Sequence, residues 1–179
     1  MKKTIAIGII GASIAIVALL LNTQNDTDTN PVHSVEVRKG DEFIIMVQYT
    51  NNEILDEPLE VNVTLTTPAV LSLVNYEVGN IYNVTKSGVI RLINTTYTVQ
   101  YEDLSGKKEL SGNDISGISF NAKIGTDVTY VLSHEIILFE EETVEFKYRF
   151  NTNAAQSGTY DIRAVVNDNP ILYRVKVTP

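Results

Sequence analysis

Two histidines, His33 and His134, are the only imidazoles in the chain, and no cysteine accompanies them. A metal site built on both would require them to converge from about a hundred residues apart, and none of the usual ligand spacings links either to a second donor. Ser133-His134-Glu135 holds the residue types of a hydrolytic relay, but neighbours along a strand point to opposite faces, so adjacent side chains cannot form one. There is no G-x-S-x-G, no phosphate-cradling glycine loop and no H-E-x-x-H. The expectation is therefore a protein that is not an enzyme, with no catalytic, cofactor-binding or metal residues.

Carboxylates cluster at Asp26/Asp28, Asp41/Glu42, Glu140–Glu142 and Asp168. None has the spacing of a calcium loop, so each is expected as solvated charge, with an extracellular calcium- or carbohydrate-binding module as the alternative function. Four N-x-[ST] triplets, at Asn25, Asn62, Asn83 and Asn94, are candidate glycosylation acceptors if the domain is exported. The net charge of −8 opposes a phosphate backbone, which argues against nucleic-acid binding.

The elements that position these residues fall into three parts. Lys2 and Lys3 precede an uncharged apolar run, Thr4–Leu21, whose 18 residues would span about 27 Å as a helix, close to the hydrocarbon thickness of a bilayer. The lysines favour a cytoplasmic start, so residues 1–21 are expected as a single-pass membrane anchor with the remainder outside the cell membrane. A cleaved secretory signal is the competing reading. Its best site, after Ala18, would leave three leucines on the mature chain, and cleavage there would secrete the domain. Residues 22–31, polar and closed by Pro31, read as a linker.

From Val32 to Pro179 the pattern has period two. Phe43-Ile45-Val47-Tyr49, Leu59-Val61-Val63-Leu65, Tyr97-Val99-Tyr101, Ile118-Phe120-Ala122-Ile124, Val144-Phe146-Tyr148-Phe150 and Tyr160-Ile162-Ala164-Val166 each put apolar residues on one face, and Ile171–Thr178 closes the chain. Turn signals separate the runs, among them Lys39-Gly40-Asp41, Ser105-Gly106-Lys107 and Asn167-Asp168. Residues 32–179 are expected as one all-β domain, a β-sandwich of roughly eight to ten strands, and a closed barrel fits the same periodicity nearly as well. The stretch Leu104–Asp114, carrying Lys107 and Lys108 among glycines and serines, reads as a solvated hairpin loop or a tip that touches a partner.

Lys39-Gly40-Asp41-Glu42-Phe43 through Tyr49-Thr50-Asn51, then Leu59–Leu65 and Thr67-Pro68-Ala69-Val70-Leu71-Ser72-Leu73-Val74, resembles surface-protein modules of the CARDB/DUF11 type. The same stretch is similar to the front half of cohesin-like sandwiches. Ser157-Gly158-Thr159-Tyr160 is similar to the G-x-Y entry to a late strand of immunoglobulin-like domains. Ile81–Ile137 departs from the simple module. The anchor-plus-sandwich layout also resembles archaeal membrane-anchored cell-surface proteins, including stator-type components of motility filaments. These resemblances imply an immunoglobulin-like or cohesin-like sandwich engaged in protein–protein contacts or assembly at the cell surface, its partner an envelope or surface-layer protein or another copy of itself.

Overall fold

The computed structural model describes residues 14–16, 32–54, 57–82, 91–115 and 120–179. These form eleven strands in two sheets: β1 (Ile14–Ile16), β2 (Val32–Arg38), β3 (Glu42–Thr50), β4 (Leu59–Pro68), β5 (Ser72–Tyr82), β6 (Arg91–Asp103), β7 (Gly106–Gly112), β8 (Asp127–Ile137), β9 (Thr143–Asn151), β10 (Gly158–Val166) and β11 (Asn169–Thr178). Sheet A runs β1-β3-β9-β5, and sheet B runs β2-β11-β10-β4-β8-β6-β7. Two separate sheets make this a sandwich arrangement and not one closed barrel.

The sheets face each other because alternation leaves each with one apolar side. Phe43, Ile45 and Val47 of β3 and Val144, Phe146, Tyr148 and Phe150 of β9 are all fully buried; they meet Val61, Val63, Leu65, Leu132, Ile136, Ile162 and Val175 of sheet B. Burying side chains of this size contributes roughly 1.5–3 kcal/mol each. Polar groups tie the layers where aromatic bodies carry them into the core. The Tyr173 hydroxyl of β11 donates to Met46 O of β3 at 2.6 Å, and the Tyr130 hydroxyl of β8 accepts from Leu73 N of β5 at 3.3 Å. Burial pushes the Tyr130 phenol up to about 12, so it remains a neutral partner. Outside, sheet B is knitted by hydroxyl and amide pairs across neighbouring strands, such as Thr66–Thr129 and Thr98–Ser111.

Turns form where their residues permit them. Asn167 (φ 40°) and Asp168 (φ 72°) give the β10–β11 hairpin two left-handed residues, the backbone that matches strand twist. Asn167 also takes a second role, its Oδ1 accepting from Asn62 N of β4 at 2.9 Å. After the Ser157-Gly158 entry, the Tyr160 hydroxyl folds back to donate to Gln156 O at 2.8 Å and accept from Gln156 N at 3.1 Å, fixing the chain as it enters β10.

Several expectations change. Leu104–Asp114 is not a loop: only Leu104 and Ser105 turn, and Gly106–Gly112 pairs with β6 as β7. Gly106 (φ 113°) makes the tight reversal, and Gln100–Glu109 and Thr98–Ser111 bonds hold a strand that has no apolar alternation to announce it. Conversely, Ile118–Ile124 is not a strand where it is described. Phe120–Ile124 makes one backbone bond to sheet B, Lys123 N donating to Glu102 O of β6, but no strand; Gly125 (φ 85°) reverses the chain, and Ile124 points into solvent.

Glu142 is no solvated charge either. It is 1% exposed, its Oε2 accepts from Phe139 N at 2.9 Å, and its carbonyl accepts from Asn51 N, so it closes the turn into β9. Within the run expected as an anchor, Ile14–Ile16 lies as a short strand parallel to Glu42–Ile44 of β3. The rest of that run and the 22–31 linker lie outside the described residues, and among the described residues no helix is long and apolar enough to cross a membrane.

Candidate functional site

The chemically capable residues do not gather. His33 and His134 both face the core, but on β2 and β8, four strand spacings or about 19 Å apart across sheet B and about 20 Å out of register along it. His33 packs on Tyr173 at 5.2 Å between ring centres, and burial lowers its basicity. His134 is fully buried. Its Nδ1 lies 3.0 Å from Thr95 Oγ1, its Nε2 lies 3.1 Å from the Tyr148 hydroxyl, and the ring stacks on Phe146 at 4.3 Å. In either tautomer both ring nitrogens have a partner. Desolvation drops its pKa to about 4, so the imidazole stays neutral and serves as a bridge from β8 to β6 and β9. Ser133 and Glu135 lie on the opposite face from it, and Ser133 Oγ donates to Asn62 Oδ1.

Asp26 and Asp28 lie outside the described residues, and among the described residues the other acidic groups form no cluster of three. Glu60 and Glu135 stand at paired positions on β4 and β8 and line a cleft of about 380 Å³ with Asn94. Among the described residues no three His, Asp or Glu side chains converge as metal ligands. Of the four glycosylation triplets, Asn62 and Asn94 are exposed on the outward face of sheet B, with β8 between their strands. Asn25 and Asn83 lie outside the described residues.

What the fold does assemble is an exposed apolar pair at one end of sheet B. Strand register places the Leu104–Ser105 turn and the loop around Ile124 side by side. Pro68 of β4 pairs with Asp127 of β8, and Gln100 of β6 pairs with Thr129, so both connections leave the same end of sheet B. Leu104 is 96% exposed and Ile124 90%, and they share a cleft of about 420 Å³ with Ala122 and Lys123. Lys123 reaches Glu102 at 3.3 Å, while Lys107 and Glu109 flank a neighbouring cleft of about 580 Å³.

No known family model matches this chain, and no curated protein matches it.

The position of this pair follows from the register alone. Val32 pairs with Leu172 at the start of β11, beside the β10–β11 turn, and β4 starts at that same end. Val32 thus lies toward one end of sheet B, and Leu104 and Ile124 project from the other. Sequence reasoning found the lysine-bearing tip at 104–108 but not its neighbour Ile124, because the nineteen residues between Leu104 and Ile124 hide their adjacency and Ile124 read as core.

Proposed function

We propose that this is a membrane-anchored extracytoplasmic β-sandwich, with no catalytic role, that mediates protein–protein contacts at the cell surface. The observation that carries the reading is the pair Leu104 and Ile124, fully solvated apolar side chains at the end of the domain remote from Val32, where a tether from the Thr4–Leu21 run would attach. Large apolar side chains so exposed are a cost in an isolated soluble domain and a gain when a partner covers them, at roughly 1.5–3 kcal/mol for each. The mixed rim of Lys107, Lys123, Glu102 and Glu109 gives the polar border that protein interfaces favour.

The immunoglobulin-like resemblance gains support from topology. The neighbours β2-β11-β10-β4 in one sheet and β3-β9-β5 in the other follow the A′-G-F-C and B-E-D arrangement of immunoglobulin-type sandwiches. The Tyr160–Gln156 bonds resemble the tyrosine corner of those domains. β6, β7 and β8, from the stretch that departs from the simple module, extend the second sheet and supply the contact end.

The test is recovery of partners from solubilised envelope on the full chain, compared with Leu104→Glu/Ile124→Glu. The expected result is at least a tenfold loss of a specific partner with unchanged thermal unfolding, since two charges would have to be buried against it. Equal recovery by both chains would sink the assignment of this end.

A further inference from the structure

Of the four strands at the margins of the two sheets inside the 32–179 domain, three are guarded against pairing and one is not. β5 is broken by two register shifts against β9, β7 carries Lys107 and Lys108, and β2 presents Glu36 and Arg38 on its exposed face, with Glu36 bridged to Lys176. Bulges and charges of this kind keep sheet margins from recruiting foreign strands. β3 has neither from Phe43 to Thr50; its one charge, Glu42, stands at the first position and is paired to Arg149 of β9. It pairs with β9 over nine uninterrupted positions and carries no proline or lysine. It is apolar on both faces: Phe43, Ile45 and Val47 point into the core, and Ile44, on the opposite face, is still only 7% exposed. This is the margin on which Ile14–Ile16 sits, in parallel, with Ile14 against Glu42, Ala15 against Phe43 and Ile16 against Ile44.

We propose that the open side of β3 is a strand-acceptor site whose occupant is the Ile14–Ile16 segment of the same chain, and that the apolar run therefore has two exclusive destinations, the sheet and the bilayer. The inference rests on the anchor reading for one of the two. A bilayer-spanning helix over Thr4–Leu21 would take these three residues away from β3, because a residue cannot be helical in hydrocarbon and extended on a sheet together. In the sheet-bound form, Ile14–Ile16 lies against the outward backbone groups of Glu42 and Ile44, and the β-branched isoleucines suit an extended conformation. Insertion exposes the β3 margin, so a domain that has reached the membrane differs from one that has not by an uncovered strand. The chain would thereby shield its most pairing-prone margin until it is delivered.

The absence of cysteine makes the test direct. In the full chain, Ile16→Cys/Ile44→Cys places the only two thiols at register neighbours. Ile16→Cys/Thr50→Cys places them about 20 Å out of register, six residues further along β3. Each is treated with a short bis-maleimide, once free of lipid and once with phosphatidylcholine vesicles recovered by flotation. The expected result is intramolecular linkage of the first pair at least tenfold above the second without lipid, falling at least tenfold in the floated chain. Equal linkage of both pairs, linkage undiminished in the floated chain, or linkage only between copies when single-cysteine chains are mixed would each overturn the proposal. A chain that links but never floats overturns the anchor reading and the exchange with it, while the strand site stands. Hydrogen exchange on the unsubstituted chain supplies a second readout: the Glu42 and Ile44 amides, which face away from β9, should exchange at least tenfold faster in vesicles while the Phe43 amide, bonded to β9, does not change, and equal rates at Glu42 and Ile44 would contradict the exchange of partners.

Discussion

Acidifying the domain from pH 7 to pH 4 should remove about 3 kcal/mol of folding stability through His134 alone. Its pKa is about 4 in the fold against 6.5 for a solvated imidazole, and desolvation is the cause. The folded value is depressed, so between pH 6.5 and pH 4 the unfolded chain binds a proton that the folded chain refuses. Stability is then fully present above about 6.5 and is lost as pH falls toward 4, at about 1.4 kcal/mol per pH unit. His33, lowered by burial as well, pulls in the same direction. Urea unfolding midpoints measured from pH 7 to pH 4 should fall steadily with an unchanged slope. In His134→Phe, which keeps the ring stack on Phe146 but leaves Thr95 Oγ1 and the Tyr148 hydroxyl without their partner, the domain should be less stable at pH 7 and markedly flatter below it. A wild-type profile that is already flat in this window would mean that the imidazole is reached by water.

Phe146→Ala should cost about 3–5 kcal/mol, among the largest losses expected of a single side chain in the domain. Phe146 is fully buried on β9 between Val47 of β3 and Val78 of β5, and it forms the floor on which His134 stacks. Truncation leaves a cavity beside two hydrogen-bonded polar groups, the imidazole and the Tyr148 hydroxyl, so water gains a reason to enter. The variant should therefore lose stability at pH 7 and also respond less steeply to acid, because a hydrated imidazole titrates nearer to 6.5. A loss below about 1 kcal/mol by chemical denaturation would show that the two sheets are not packed on each other through this ring. Against a total of about 5–15 kcal/mol for a domain of this kind, the expected loss is large enough to lower cellular abundance.

The legibility of this fold in its sequence followed the strength of each local signal. β9 and β4 were plain, since Val144-Phe146-Tyr148-Phe150 and Leu59-Val61-Val63-Leu65 alternate cleanly and each is buried on its predicted side. β8 also alternates, Val128-Tyr130-Leu132-His134-Ile136, but a histidine in the apolar row drew attention to chemistry and away from the strand. Its inward place follows from the same alternation, and a neutral buried imidazole is what two hydroxyl partners allow. β7 was illegible because hydrogen bonds and cross-strand polar pairs hold it, and neither leaves a hydrophobic period. Ile118–Ile124 misled for the opposite reason, having the period but forming a single backbone bond to β6 before Gly125 turns the chain. The contact end was half legible: glycines and lysines marked the 104–108 tip, but only the β6–β8 register brings Ile124 beside Leu104. The parallel seat of Ile14–Ile16 could not be read at all, since an apolar run long enough for a bilayer says nothing about which sheet margin is left unguarded.

The account stands on the placement of the sandwich outside the membrane, held by its first apolar run. Protease added to intact cells tests this most directly, with an antibody to the C-terminal residues reporting the fate of the sandwich. The account predicts that the sandwich is shaved from whole cells while a cytoplasmic marker survives, and that a full-length chain from untreated cells stays with the membrane pellet after a high-salt wash. A sandwich untouched on intact cells and digested only after permeabilisation would contradict it.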